Sequence, residues 1–111
     1  FGNGDEAEQP RDSSTAAIVA CGFLEMSKYL PKGEADFYIS AAKKLIGTLI
    51  RNYQVTDPKV SNGQLLHGVY CKSTPFNTCK NAGVDECVIW GDYYFMEALT
   101  RLLKPDWNIY W

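Results

Sequence analysis

Apolar and polar positions divide the chain into three helical stretches separated by turn chemistry. Asp12-Ser13-Ser14-Thr15 is a run of residues that favour helix N-caps. It precedes Ala16, Ala17, Ile18, Val19, Ala20, Cys21, Gly22, Phe23 and Leu24, which are apolar nearly all round and mostly small. The pattern predicts a helix over 14–29, buried on more than one side and stopped by Pro31 and Gly33. A second helix is predicted from Ala35 or Asp36 to Tyr53. There Tyr38, Ala42, Leu45, Ile46, Leu49, Ile50 and Tyr53 follow the i, i+3, i+4 spacing of one buried face. Lys43, Lys44 and Arg51 fall on the solvated side. The short linker makes the pair an antiparallel hairpin.

Asp57-Pro58 and Ser61-Asn62-Gly63 are turn sequences. Residues 65–70, Leu-Leu-His-Gly-Val-Tyr, are too few for an ordinary helix and read as an extended or irregular ledge. Residues 72–83 read as a long loop, and long ordered loops often carry function. A third helix follows Trp90-Gly91-Asp92 and ends before Pro105. Asp12 and Asp92 are both placed to cap or charge-match a helix N-terminus. The tail from Trp107 to Trp111 is aromatic and must dock onto something.

Composition narrows the function classes. The chain has 111 residues, 46% hydrophobic and 22% charged, within the range of one globular domain. A net charge of −2 argues against nucleic acid, which needs a basic face to neutralise phosphates. No stretch approaches the apolar length of a membrane span. The chain begins with Phe1, and aromatic residues make up 14%. Together these suggest a piece of a larger protein or a binding cleft.

Cys21, Cys71, Cys79 and Cys87 lack the close pair that a zinc site needs, so no metal is expected. Cys71 and Cys79 bracket a loop that a disulfide would close, whereas Cys21 fits as a small apolar residue within a helix. His67 is the only histidine. Asp85, Glu86 and Asp92 place three carboxylates before one helix; paired carboxylates are what glycosidases use, but capping is the stronger account of Asp92. Tyr70, Phe76, Trp90, Tyr93 and Tyr94 are an aromatic core or a surface on which sugars stack. Lys72, Ser73 and Asn77 stand beside them.

The stretch Gly83-Val84-Asp85-Glu86-Cys87-Val88-Ile89-Trp90-Gly91-Asp92-Tyr93-Tyr94-Phe95-Met96-Glu97-Ala98-Leu99 closely resembles the C-terminal signature of the unsaturated glucuronyl hydrolases, glycoside hydrolase family 88. Arg11-Asp12-Ser13-Ser14-Thr15-Ala16-Ala17-Ile18 resembles the family's Asp-Ser-Ser helix start. The blocks Ser61–Gly63, His67–Tyr70 and Trp107–Trp111 fit in order. The resemblance implies an all-α fold of antiparallel helices, the C-terminal part of an (α/α)6 barrel. Residues 1–111 would then be a single segment of it, with 1–11 a flexible lead-in. The first and third helices would be inner and start at the same rim, with Arg11–Ser13 and His67–Asp92 facing the substrate mouth.

The resemblance also implies an activity: removal of an unsaturated (4,5-ene) uronic acid from the non-reducing end of lyase-generated oligosaccharides. In that family an aspartate protonates the C4–C5 double bond and activates water for addition at C5, and the resulting hemiketal opens. No cofactor takes part. The catalytic aspartates of the family lie upstream, so none is expected here, and the segment alone should be inactive. The substrate-binding residues implied or suggested here are Tyr70, His67, Lys72, Ser73, Trp90, Asp12 and Ser13. The family's Ser-x-x-Ser-x-Lys pattern after the tyrosine is replaced by Cys71-Lys72-Ser73-Thr74-Pro75-Phe76, which leaves sulfate preference open. The implied partners are the uronyl oligosaccharide and the rest of the barrel. Family members act in the bacterial cytoplasm or periplasm. The alternative from a different class is a free-standing helical module that binds carbohydrate or protein.

Overall fold

The computed structural model describes residues 10–71 and 83–109. It holds three helices, α1 (Ser13–Met26), α2 (Lys32–Asn52) and α3 (Ile89–Leu103), and no strand among the described residues. Most of the lead-in, Lys72, Ser73, Phe76, the Cys71–Cys79 pairing and the last two aromatic residues of the tail lie outside the described residues.

Asp12 starts α1 from an extended backbone, and its carboxylate accepts from the Ser14 amide at 3.1 Å. The helix ends in a single 3-10 turn over Ser27–Tyr29, where the Ser27 hydroxyl donates to the Leu24 carbonyl at 2.8 Å. Leu30 is then extended, as a residue before proline prefers. Pro31 and Gly33 do not act together as the expected stop. Pro31 is the N-cap of α2, and Gly33 already lies in its first turn. A proline lacks the N–H that would be unsatisfied at a helix start, so it opens α2 without loss.

Helix α2 buries Ala35, Ala42, Ile46 and Leu49, four of the positions along one stripe. It runs antiparallel to α1. The Phe23 and Tyr38 rings meet at 5.3 Å near one end. At the other end the Tyr53 carbonyl accepts from the Leu66 amide, and the Leu66 carbonyl accepts from the Ser13 hydroxyl.

Helix α3 begins at Ile89, earlier than the sequence pattern suggested, because Val88 is extended and Asp92 is not its cap. Helix α3 runs parallel to α1, as three successive pairings show. The Trp90 indole donates to the Ser14 hydroxyl, the Cys21 thiol donates to the Tyr94 carbonyl, and Arg101 bonds Glu25. Gly91 permits this approach at the start, since a Cβ there would lie 3.2 Å from the Ser14 Cβ.

The core lies where α1 meets both partners. Ala17, Ala20, Cys21 and Leu24 of α1 join Ala42, Ile46 and Leu49 of α2 and Phe95 and Ala98 of α3, with Leu65 closing it at the rim. Small residues on α1 let the neighbouring helices pack closely, and Phe95 fills the centre. The burial of α1 is nonetheless incomplete. Ile18, Val19 and Met26 are exposed along one side of it, and Ile89, Tyr93, Met96 and Leu103 along one side of α3. Trp107 returns to the body, its ring under the Arg101 guanidinium at 4.5 Å.

Candidate substrate rim

Parallel packing brings the N-termini of α1 and α3 side by side. The segment 64–70 crosses beside them and is fastened at every step. Asp92, in the first turn of α3, accepts from the Gln64 and Leu65 amides, each at 2.9 Å. Its carboxylate is used on an incoming chain, so the capping alternative falls, while its place in the first turn of α3 keeps the expected charge match to the helix start. Asp12 does cap its helix, and does more. Its Oδ1 also accepts from the Ser14 hydroxyl at 2.7 Å and the Val69 amide at 3.3 Å, while Oδ2 accepts from the Thr15 hydroxyl at 3.0 Å. Ser13 is buried, its amide donates to the His67 carbonyl, and its hydroxyl donates to the Leu66 carbonyl at 2.7 Å. The polar atoms of Asp12 and Ser13 are therefore engaged with the protein itself.

The segment 67–71 pairs with 83–86. Gly68 and Glu86 exchange amide and carbonyl bonds, and the Gly83 carbonyl accepts from the amides of Tyr70 and Cys71. This pairing closes the neck of the 72–82 segment. At the neck the imidazole Nδ1 of His67 pairs with the Asp85 carboxylate. Both residues are left-handed, with φ of 62° and 60°, as is Gly83 at 68°. For the two side-chain-bearing residues this conformation costs roughly 1–2 kcal/mol each, so surrounding bonds must hold it. Tyr53 closes on the imidazole edge-to-face at 5.6 Å. His67 Nε2 makes no hydrogen bond among the described residues.

Two aromatic rings finish the rim. Trp90 is held by its bond to Ser14 at 3.2 Å, and Tyr70 lies 5.8 Å from it at an interplanar angle of 38°. Tyr70 is 60% exposed, so one side of this tilted pair is open to a ligand. The expected ledge and the shared start of the first and third helices are present, and of the five aromatic residues Tyr70 and Trp90 come together here. Tyr93 and Tyr94 contact each other edge-to-face further along α3. A largely apolar groove of about 400 Å³ between α1 and α2, lined by Phe23, Leu45, Leu49 and Tyr53, reaches Arg11, Asp12 and Ser13 at the rim. Among the described residues no group of three His, Cys, Asp or Glu side chains could hold a metal, and no helix is long and apolar enough to cross a membrane.

A second polar cluster lies at the opposite end of the helices, and periodicity did not reveal it. Arg101 bonds Glu97 at 2.9 Å within α3 and Glu25 across to α1, where Lys28 also bonds Glu25 at 2.9 Å. Hydrogen bonds from Lys28 and then Arg101 pull the Glu25 carboxyl down to about 2. Burial, with the nearby Glu97 adding to it, pushes the Cys21 thiol up to about 12. The sequence signal for this cluster was the Glu97, Arg101 pair at i, i+4.

No protein-family model matches the chain. It is similar to curated bacterial proteins. An unsaturated chondroitin disaccharide hydrolase of Streptococcus pyogenes is 46% identical over 110 residues, covering 97% of this chain and 26% of that protein. A solved mutant of unsaturated glucuronyl hydrolase from Streptococcus agalactiae superposes with a TM-score of 0.79 at 42% identity, over 96% of this chain and 27% of that one. A second solved structure, an unsaturated glucuronyl hydrolase mutant with dGlcA-Glc-Rha-Glc, gives 0.77 at 34% identity over 95% and 27%. The chain thus spans about a quarter of the length of the relatives it matches.

Proposed function

We propose that this chain, a homologue of the unsaturated glucuronyl hydrolases whose helices match part of their (α/α)6 barrel, forms one side of the substrate mouth of such a glycosidase. The observation that carries the reading is the rim itself. Two parallel helices start together, and an exposed tyrosine lies over a tryptophan there. A tilted aromatic pair offers an apolar face to a sugar ring; with the Trp90 N–H held by Ser14, the polar tip left to meet sugar hydroxyls is that of Tyr70.

The substrate is an oligosaccharide ending in a 4,5-unsaturated uronic acid. Tyr70 and Trp90 contact it, with His67 beside them. Asp12 and Ser13 act through the ledge they anchor. Lys72 and Ser73 belong to the segment whose neck is closed by 67–71 and 83–86, and they supply contacts to carboxylate or sulfate groups. The proton donor, and the water it activates, come from an aspartate in the rest of the barrel. That part also covers the apolar sides of α1 and α3. All the named relatives are bacterial hydrolases, which favours a bacterial cytoplasmic or periplasmic setting.

The test is turnover. A complete polypeptide carrying this segment is expected to abolish the absorbance of the conjugated double bond of an unsaturated chondroitin disaccharide. The 111 residues alone are expected to leave it unchanged. Turnover by the short chain would overturn the assignment of the proton donor to the remainder of the protein. No turnover by the complete one would overturn the glycosidase reading.

A further inference from the structure

We propose that His67 and Asp85 form a positioning clasp that sets Tyr70 on Trp90, acting on substrate affinity and not on the chemical step; this rests on the glycosidase reading above. The argument starts from the backbone. His67 and Asp85 both occupy the left-handed region, on the two sides of one neck. Neither is glycine, so each conformation persists only because its surroundings determine it.

On the His67 side, the Ser13 amide holds the carbonyl and the Tyr53 ring flanks the imidazole. On the Asp85 side, the next residue, Glu86, exchanges both backbone bonds with Gly68. The imidazole–carboxylate pair is the side-chain link between the two. An imidazole whose Nδ1 faces a carboxylate carries a proton there and is held in one ring orientation. Its span ends three residues before Tyr70, whose amide is bonded to Gly83 across the same neck. Opening the clasp would release both left-handed residues and shift the register on which Tyr70 depends. The pair lies well exposed, with His67 44% and Asp85 70% accessible at the side chain. Its contribution is therefore to geometry, since exposed ion pairs add little to global stability.

The experiment uses a complete polypeptide with an unsaturated chondroitin disaccharide, as wild type, His67→Gln, Asp85→Asn and the double variant. Thermal midpoints and crystal structures accompany the kinetics. Each single variant is expected to raise KM about three- to fivefold, the most that loss of one exposed pair can shift, with kcat and the midpoint nearly unchanged. The double variant is expected to match the singles, because both remove the same bond. Asp85→Glu is expected to recover part of the affinity.

A large fall in kcat at constant KM would overturn the proposal by making His67 a reacting group. Single variants with unchanged KM, or a double variant equal to the product of the singles, would overturn it too. If wild type turns over no unsaturated uronide, the glycosidase reading fails, and the structures decide the clasp separately. A Tyr70–Trp90 separation kept at 5.8 Å in Asp85→Asn would refute it, and loss of that stacking would support it.

Discussion

Arg101 on α3 bonds Glu25 on α1, so the far ends of two helices whose near ends meet at the rim are tied by one ion pair. Glu97 holds the other edge of the same guanidinium, and both Arg101 and Glu97 side chains are about 5% exposed or less. Replacing Arg101 by Met would strand the buried Glu97 carboxylate. The expected loss is about 3–5 kcal/mol, read as a lower denaturation midpoint. Arg101→Lys should lose less, because it keeps the charge and gives up the fork. An Arg101→Met variant as stable as wild type would show that the cluster is dispensable.

The acid limb of stability should report Glu25. Its carboxyl is held at about 2 in the fold, below the ordinary 4.5, by Lys28 and Arg101. A depressed carboxylate stabilises the fold fully above its unfolded value, and the contribution fades as pH falls from 4.5 toward 2. Glu25→Gln should flatten the stability–pH curve in that window and leave its slope near neutrality unchanged. Denaturant midpoints across the window would measure it.

Cys21 should behave as a closed thiol. Burial puts it at about 12, above the ordinary 9.0, so its neutral form favours the fold below 9.0 and that support is lost as pH rises toward 12. Iodoacetamide at mild alkaline pH should therefore spare Cys21 until the protein unfolds. Peptide mapping after timed labelling distinguishes this from rapid alkylation, which would mean an open helix interface.

Gly68 should tolerate no side chain. A Cβ there would lie 2.9 Å from the Glu86 carbonyl oxygen and 2.7 Å from a Val88 methyl. Gly68→Ala is expected to cost about 1–3 kcal/mol and to loosen the neck, and on the proposed glycosidase reading to raise KM with it. Melting curves and kinetics on one preparation would check both.

The 111-residue chain on its own should be sticky. Ile18, Val19 and Met26 on α1, and Ile89, Tyr93, Met96 and Leu103 on α3, face solvent. Apolar side chains left in water along two helices drive association or dye binding. Enhanced fluorescence of a hydrophobic probe and concentration-dependent sedimentation are expected, whereas a sharp monomer without dye binding would point to an independent module.

Helix existence was legible because burial and periodicity are local properties of the sequence. The cap at Asp12 was legible for the same reason, since its amide partner is two residues away. Asp92 looked identical on paper, yet its partners, Gln64 and Leu65, are 28 and 27 residues distant and nothing local announces them. His67 drew attention as the only histidine, but its pairing with Asp85 depends on a neck that forms only when two loops meet. The solvent-facing sides of α1 could not be foreseen from its composition. An all-apolar helix implies neighbours without saying how many this segment itself supplies.

The contact between Gly91 and Ser14 works as a gauge. Ser14 lies against Gly91 on one helix, holds the Trp90 indole and bonds Asp12, so the spacing of the two helix starts and the seat of the aromatic platform are one dimension. The spacing of the two helix starts is set by packing between helices, whereas Tyr70 is placed by the pairing of 67–71 with 83–86. Segments beyond the rim can differ in length and chemistry without changing that spacing. A methyl group at position 91 would meet the Ser14 Cβ at 3.2 Å, so the serine, and with it the indole it holds, would have to give by a few tenths of an ångström.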